Sequence, residues 1–244
     1  MLKKRFPPLS DMRASGSILR EALLLAEKTV EPGVTTEYVD KVVEKFIRSE
    51  NSAPAFLGYD GFPACCCISV NSQVVHGAPS KAVLKDGDIV SIDCGVLLNG
   101  AYSDSARTFG VGDISEEDSA LISVTKGAKD RGIEKALPGN RIGNISFAIQ
   151  SFVEASGFTV SRSFVGHAIG YDLHMQPFVP NYGVSSSGAT IREGMFLAVE
   201  PIVFAGGWKT TNKDEWNIVS VDGCRSAHFE DTIYIGENGP ILMT

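Results

Sequence analysis

The sequence predicts an α+β fold with two similar halves sharing one sheet, and three observations carry that prediction. Helix-like and strand-like periodicities come in blocks, two helices and then strands, and the block order repeats once along the chain. No linker rich in Pro, Gly or Ser separates the blocks, which favours one compact domain. Asn99-Gly100 lies between two strand-like runs, the strongest short-range signal for a β-hairpin.

The elements follow in order. Ser10 or Asp11 caps a helix over residues 10–30 that carries Ile18, Leu19, Ala22, Leu23 and Ala26 on one side, and Glu31-Pro32-Gly33 breaks it. Thr35 or Thr36 caps a second amphipathic helix through about Arg48, built on Val39, Val42, Val43, Phe46 and Ile47. The apolar run over residues 65–70 reads as a buried strand, and residues 88–98 and 101–110 as the two arms of the hairpin. Ser115-Glu116-Glu117-Asp118 resembles a capping box and starts a third helix running towards Leu137. Pro138-Gly139-Asn140 stops it, and Asn140 opens a fourth helix ending near Gly157. Strands are expected over residues 159–165, 195–204, 218–221 and 226–235.

Composition narrows the function classes. A chain of 244 residues can bury a sizeable core, and 43% hydrophobic with 21% charged residues is ordinary globular usage. The net charge of −7 gives no general attraction to nucleic acid or to an anionic membrane. No apolar run approaches the roughly 20 residues that span a bilayer. The first residues are basic but lack the apolar stretch of a signal peptide, so residues 1–9 are expected as a tail ahead of a single domain over 10–244. Five cysteines, three of them consecutive (Cys65, Cys66, Cys67), do not suit a disulfide framework; reduced thiols in a cytoplasmic protein fit better.

The hairpin aligns two carboxylates. With a two-residue loop Leu98 faces Ala101 and Asp93 faces Ala106, so Asp104 lies on the same face of the sheet as Asp93, a diagonal neighbour across the strands. A four-residue loop keeps that relation, whereas a three-residue loop puts the pair on opposite faces. Two like charges converging in an apolar hairpin are destabilising unless a cation sits between them. Three more segments add donors. Phe164-Val165-Gly166-His167 places a histidine at a strand end beside glycines, Glu200 follows the apolar run from Met195, and His228 and Glu230 share one face near the C-terminus. A buried Glu needs a cation or a hydrogen-bond partner.

The order Asp93, Asp104, His167, Glu200, Glu230, with ten residues between the first two, resembles the dinuclear site of the type I methionine aminopeptidases in the M24 metallopeptidase family. The surrounding words are similar too: Val90-Ser91-Ile92-Asp93, Tyr102-Ser103-Asp104, His167-Ala168-Ile169-Gly170, Leu173-His174, Val199-Glu200-Pro201, Phe229-Glu230 and the segment from Asn71 to Pro79 around His76. The resemblance runs from about residue 10 to residue 235. It implies the pita-bread fold, a curved and mainly antiparallel sheet with two pairs of helices on one face and pseudo-twofold halves. It implies a hydrolase that removes the N-terminal methionine of nascent polypeptides when the second residue is small, using a water activated by two divalent ions.

By the same resemblance Asp104 and Glu230 bridge the ions, Asp93 chelates one, and His167 and Glu200 complete the other. Glu200 moves the proton as general base and acid. His174 faces the substrate carbonyl or amide and helps to stabilise the tetrahedral intermediate. His76 contacts the departing nitrogen or the residue after the cut. Tyr59, Phe62 and Cys67, with Leu173 and Trp216 beside them, wall a pocket whose rings and sulfur suit a thioether. An oxygen-rich set with one imidazole suits Mn, Fe(II), Co or Zn. The implied partners are nascent N-termini and, transiently, the ribosome, with no DNA or membrane, for a monomer in the cytoplasm. Several residues depart from the family pattern: Phe56, Gln73, Leu173, Met175-Gln176, His228, and Ala168, whose methyl is expected to narrow the cleft or to alter the His167 backbone angle. The competing readings are an Xaa-Pro aminopeptidase on this fold and a metal-free pita-bread module that binds peptides.

Overall fold

A computed structural model describes residues 6–244. Four α-helices are present among these residues: α1 (Leu9–Thr29), α2 (Thr36–Ser49), α3 (Glu116–Ile133) and α4 (Ile142–Ala155). The strands of the first half are β1 (Ala53–Pro54), β2 (Cys66–Val70), β3 (Gln73–Val75), β4 (Ile89–Leu98) and β5 (Ala101–Gly110). The second half adds β6 (Thr159–Val160), β7 (Val165–Ala168), β8 (Met175–Pro180), β9 (Phe196–Val199), β10 (Ile202–Phe204), β11 (Thr210–Asn212), β12 (Ile218–Ser220), β13 (Ser226–His228), β14 (Asp231–Gly236) and β15 (Gly239–Leu242).

Helix boundaries follow from how the first N–H groups are satisfied. The Pro8 carbonyl accepts from the amides of Asp11 and Met12, so α1 begins at Leu9 and neither Ser10 nor Asp11 is its cap. Asp11 instead sits in the first turn, where its charge suits the helix dipole. Just ahead, Phe6 meets the Phe196 ring edge-on at 5.9 Å. Thr35 caps α2 as expected, its hydroxyl accepting from the Tyr38 amide. Ser115 caps α3 through the Asp118 amide, and the Asp118 carboxylate accepts from the Ser115 hydroxyl and from Arg225 rather than from the Ser115 amide. Asn140 does not open α4. Its side-chain amide donates to the Lys135 carbonyl beyond α3, and α4 starts after Arg141, whose N–H donates to Asn144.

All strand pairings are antiparallel. β4 is flanked by β1, β2 and β5; β14 and β9 run through the middle of a sheet in the order β15-β14-β9-β7-β8; shorter ladders join β13-β10-β6 and β11-β12-β3. Hydrogen bonds stitch the two halves together: the Glu230 amide donates to the Ala106 carbonyl, and the Thr232 hydroxyl accepts from the Asp104 amide while donating to the Asp104 carbonyl. Three expected strands are broken. Residues 195–204 divide at Glu200-Pro201, residues 226–235 at Phe229-Glu230, and residues 159–165 give only β6 before the chain bends into β7. Proline lacks the amide a ladder needs, which accounts for the first break.

Side-chain alternation separates core from cleft. In β4, Val90, Ile92, Cys94 and Val96 pack with α1 and α2, while Asp93 points away. In β9, Leu197 and Val199 join the core beneath α3 and α4, leaving Phe196, Ala198 and then Glu200 for the other side. In β14, Ile233 and Ile235 take the core side, which puts Glu230 and Thr232 on the cleft side. Cys65, Cys66 and Cys94 are free thiols grouped in the first core.

A buried ion network braces β14. Asp231, 1% exposed, is paired with Lys129 of α3 and, at 2.5 Å, with Arg107 of β5. Lys129→Met is expected to destabilise the protein by about 3 kcal/mol, because a buried carboxylate loses one of its two cations. Denaturant unfolding measures this, and a loss below about 0.5 kcal/mol would show that Arg107 alone satisfies Asp231.

Candidate metal centre

The Asn99-Gly100 turn is the two-residue loop that the carboxylate alignment requires. Leu98 pairs with Ala101, Asp93 with Ala106 and Gly95 with Asp104. Asn99 and Gly100 both adopt positive φ, 51° and 80°, as a turn matched to the twist of the strands demands. Asp93 and Asp104 therefore meet on one face. Across the ladder Cys67 pairs with Asp93, which brings the β2 sulfur to the same side.

The second half closes the arrangement. Donor atoms of Asp93, Asp104 and Glu230 lie within 4.8 Å of one another, as do those of His167, Glu200 and Glu230, and those of Asp104, His167 and His174. His167 Nε2 is 3.5 Å from Glu200 Oε1 and 3.8 Å from Asp104 Oδ2. Its Nδ1 lies 3.1 Å from the Ala168 carbonyl. A carbonyl can only accept, so the proton sits on Nδ1 and Nε2 turns a free lone pair towards the carboxylates.

The electrostatics are strained in a way that calls for positive charge. Burial is the leading cause throughout. It raises Asp93 to about 7 against the hydrogen bonds it receives, and it lifts Asp104, Glu200 and Glu230 well above the usual carboxylate range, with repulsion from neighbouring carboxylates adding to the rise of these three. Burial pushes His167 down to about 3, so the imidazole is neutral and able to act as a ligand. Asp93 Oδ1, Asp104 Oδ1 and Glu230 Oε1 are buried without a hydrogen-bond partner. Such orphaned oxygens are costly, and a divalent cation satisfies them together. The residues present fit that group.

All eleven site residues expected from the sequence line one cleft of about 350 Å³: Asp93, Asp104, His167, Glu200 and Glu230, with His76, His174, Tyr59, Phe62, Cys67 and Trp216. Leu173 joins them. Tyr59 Oη is 2.9 Å from His174 Nδ1, and the His174 ring stands edge-on to His167 at 4.5 Å. Phe62 and Trp216 meet edge-on at 5.2 Å and form one wall. Phe56 closes the floor over Gly95, where any Cβ would come within 2.8 Å of the Phe56 ring. His76 holds a left-handed φ of 59°, strained for a non-glycine residue, at the cleft mouth.

One expectation changes. Ala168 does not narrow the cleft, because its side chain is fully buried in the core beneath α3 and α4. A register irregularity between His167 and Ala168 accompanies this placement. Phe164, Ser163 and Asp60 line the cleft but did not stand out in the sequence. Phe164 stacks edge-on against His76 at 5.9 Å, and its place three residues before His167 was the available signal.

Comparison with known proteins gives consistent results. The profile of metallopeptidase family M24 matches residues 10–237. The methionine aminopeptidase of Clostridium perfringens is 51% identical over 234 residues, covering 96% of this chain and 94% of that protein. The crystal structure of methionine aminopeptidase from Thermotoga maritima superposes with a TM-score of 0.96 at 41% identity, covering 98% of each chain. Prolidase from Pyrococcus furiosus shares the fold at a TM-score of 0.80 and 23% identity, and this chain covers 65% of it.

Proposed function

The chain belongs to metallopeptidase family M24, and from that premise we propose that it removes the N-terminal methionine from nascent polypeptides whose second residue is small. The observation that carries the reading is the convergence of four carboxylates and a neutral imidazole in one cleft whose far wall is aromatic and sulfur-bearing. Asp93, Asp104, His167, Glu200 and Glu230 would hold the metal. Four carboxylates carry four negative charges, which two divalent ions offset. Bound there, such ions acidify a water and polarise the scissile carbonyl.

The chain's own residues supply the rest. Glu200 is the base that takes the proton of the attacking water and returns it to the leaving amine. His174, anchored by Tyr59, donates to the carbonyl oxygen as it gains charge. His76 contacts the departing nitrogen or the residue after the cut. Phe56, Phe62, Cys67, Leu173 and Trp216 enclose an unbranched thioether and exclude water from it. The donor set of oxygens and one imidazole suits Mn, Fe(II), Co or Zn. Among the described residues no helix is long and apolar enough to cross a membrane.

A peptide beginning Met-Ala-Ser is expected to lose its methionine and a peptide beginning Met-Lys to stay intact, with mass spectrometry following the released residue. Faster cleavage of Xaa-Pro peptides would overturn the assignment.

A further inference from the structure

The cleft contains a second buried imidazole that the metal-centre reading leaves unused. His228 is 3% exposed, lines the cleft, and its Nε2 has no hydrogen-bond partner. That nitrogen lies 3.8 Å from Glu200 Oε2, while His167 Nε2 lies 3.5 Å from Glu200 Oε1. Each carboxylate oxygen of Glu200 thus faces a different imidazole.

The backbone holds His228 in this place. It pairs with Ile202 in the β10–β13 ladder, two residues beyond Glu200, which brings β13 alongside the bend that carries Glu200. Its amide donates to the Thr108 hydroxyl, and that hydroxyl donates to the His228 carbonyl. The Ser91 hydroxyl, 2.8 Å from Thr108 Oγ1, completes the clamp. With N–H and C=O both fixed, the ring stays on the cleft side unless β13 itself is disrupted.

We propose that His228 is a positioning residue for Glu200, donating from Nε2 to the carboxylate oxygen that does not face His167. The inference rests on the metal-centre reading above. Once Glu200 Oε1 is engaged on the His167 side, Oε2 keeps lone pairs in a buried place and needs a donor. His228 supplies it after an approach of less than an ångström, and the bond fixes the carboxylate in the orientation needed for proton transfer.

The test uses the full-length protein, Mn2+ as the probe and a Met-Ala-Ser peptide as substrate. His228→Leu removes the donor and keeps an apolar side chain, whereas His228→Gln keeps an N–H of similar reach. The Leu variant is expected to bind Mn2+ about 10–100-fold more weakly by calorimetry. Its kcat should fall with little change in KM, and the Gln variant should recover most of both losses. If the Leu variant unfolds, His228→Asn replaces it, with an amide too short to reach Glu200 and the same losses expected. Wild-type Mn2+ affinity in the donor-free variant, or equal losses in the Gln variant, would overturn the proposal. A wild-type protein that neither binds Mn2+ nor cleaves the peptide would remove the metal-centre reading and this inference together.

Discussion

Asp104→Asn is expected to abolish turnover while leaving the fold in place. Asp104 is 4% exposed and belongs to two of the donor groups, one with Asp93 and Glu230 and one with His167 and His174. No other residue connects those two groups in this way. An amide in its place offers one neutral oxygen where a shared carboxylate is needed, and kcat/KM should fall by about 10³-fold or more, roughly 4 kcal/mol of transition-state stabilisation. The fold should survive, because the bonds that tie Asp104 to Thr232 use its backbone amide and carbonyl. The metal-free variant should even unfold at a slightly higher temperature than the metal-free parent, since one of the mutually repelling groups is gone. Near-normal activity in this variant would refute the metal assignment.

Chelation of divalent ions is expected to remove activity and to destabilise the protein increasingly as pH rises. In the metal-free protein burial raises Asp93 to about 7 and lifts Asp104, Glu200 and Glu230 well above the usual range. Unfolded, the same groups release their protons near pH 4. Between those limits the folded state holds more protons, so its stability declines with rising pH: the favourable contribution is complete below about pH 4 and is lost as pH passes the folded values. Bound cations reverse the balance by preferring the ionised carboxylates, and at about 1,000 times the dissociation constant they add about 4 kcal/mol. For a chain of this size that is about 8–16 °C in melting temperature. Thermal unfolding with and without chelator between about pH 5 and pH 8 should show the gap widening. A gap that narrows with pH would contradict the buried carboxylate cluster.

Some of this was legible in the sequence because it depends on local chemistry. Asn99-Gly100 selects a two-residue turn by backbone conformation alone, and that turn fixes the parity that brings Asp93 and Asp104 together. The cap at Thr35 is similarly local. What escaped notice depends on distant partners. The apolar run ending at Phe204 reads as one strand; Pro201 breaks its ladder, but only the packing of the cleft shows that the Glu200 carboxylate turns inward there. Strand β8 contains Pro177 and lacks a clean alternation, so its pairing with β7 had no sequence signal. The roles of His167, Glu200 and Glu230 rested on family resemblance, because no local rule brings residues so far apart in the chain to one point. The same is true of the Lys129–Asp231–Arg107 network, where a buried lysine within a helix looks in sequence like any solvated charge.

The hydroxyl of Thr232, bonded to both backbone groups of Asp104, has a bearing on when the protein becomes competent. The hairpin with Asp93 and Asp104 can form early, since its contacts are close in sequence, but Thr232 comes 128 residues after Asp104. By itself the hairpin puts Asp93 and Asp104 in register, with no second half to enclose them. If Asp93, Asp104 and Glu230 hold metal as proposed, the donor set is complete only once β14 has docked on β5. A chain cut before residue 230 would keep the hairpin but lose Glu230 from the cluster and Thr232 from its bonds to Asp104.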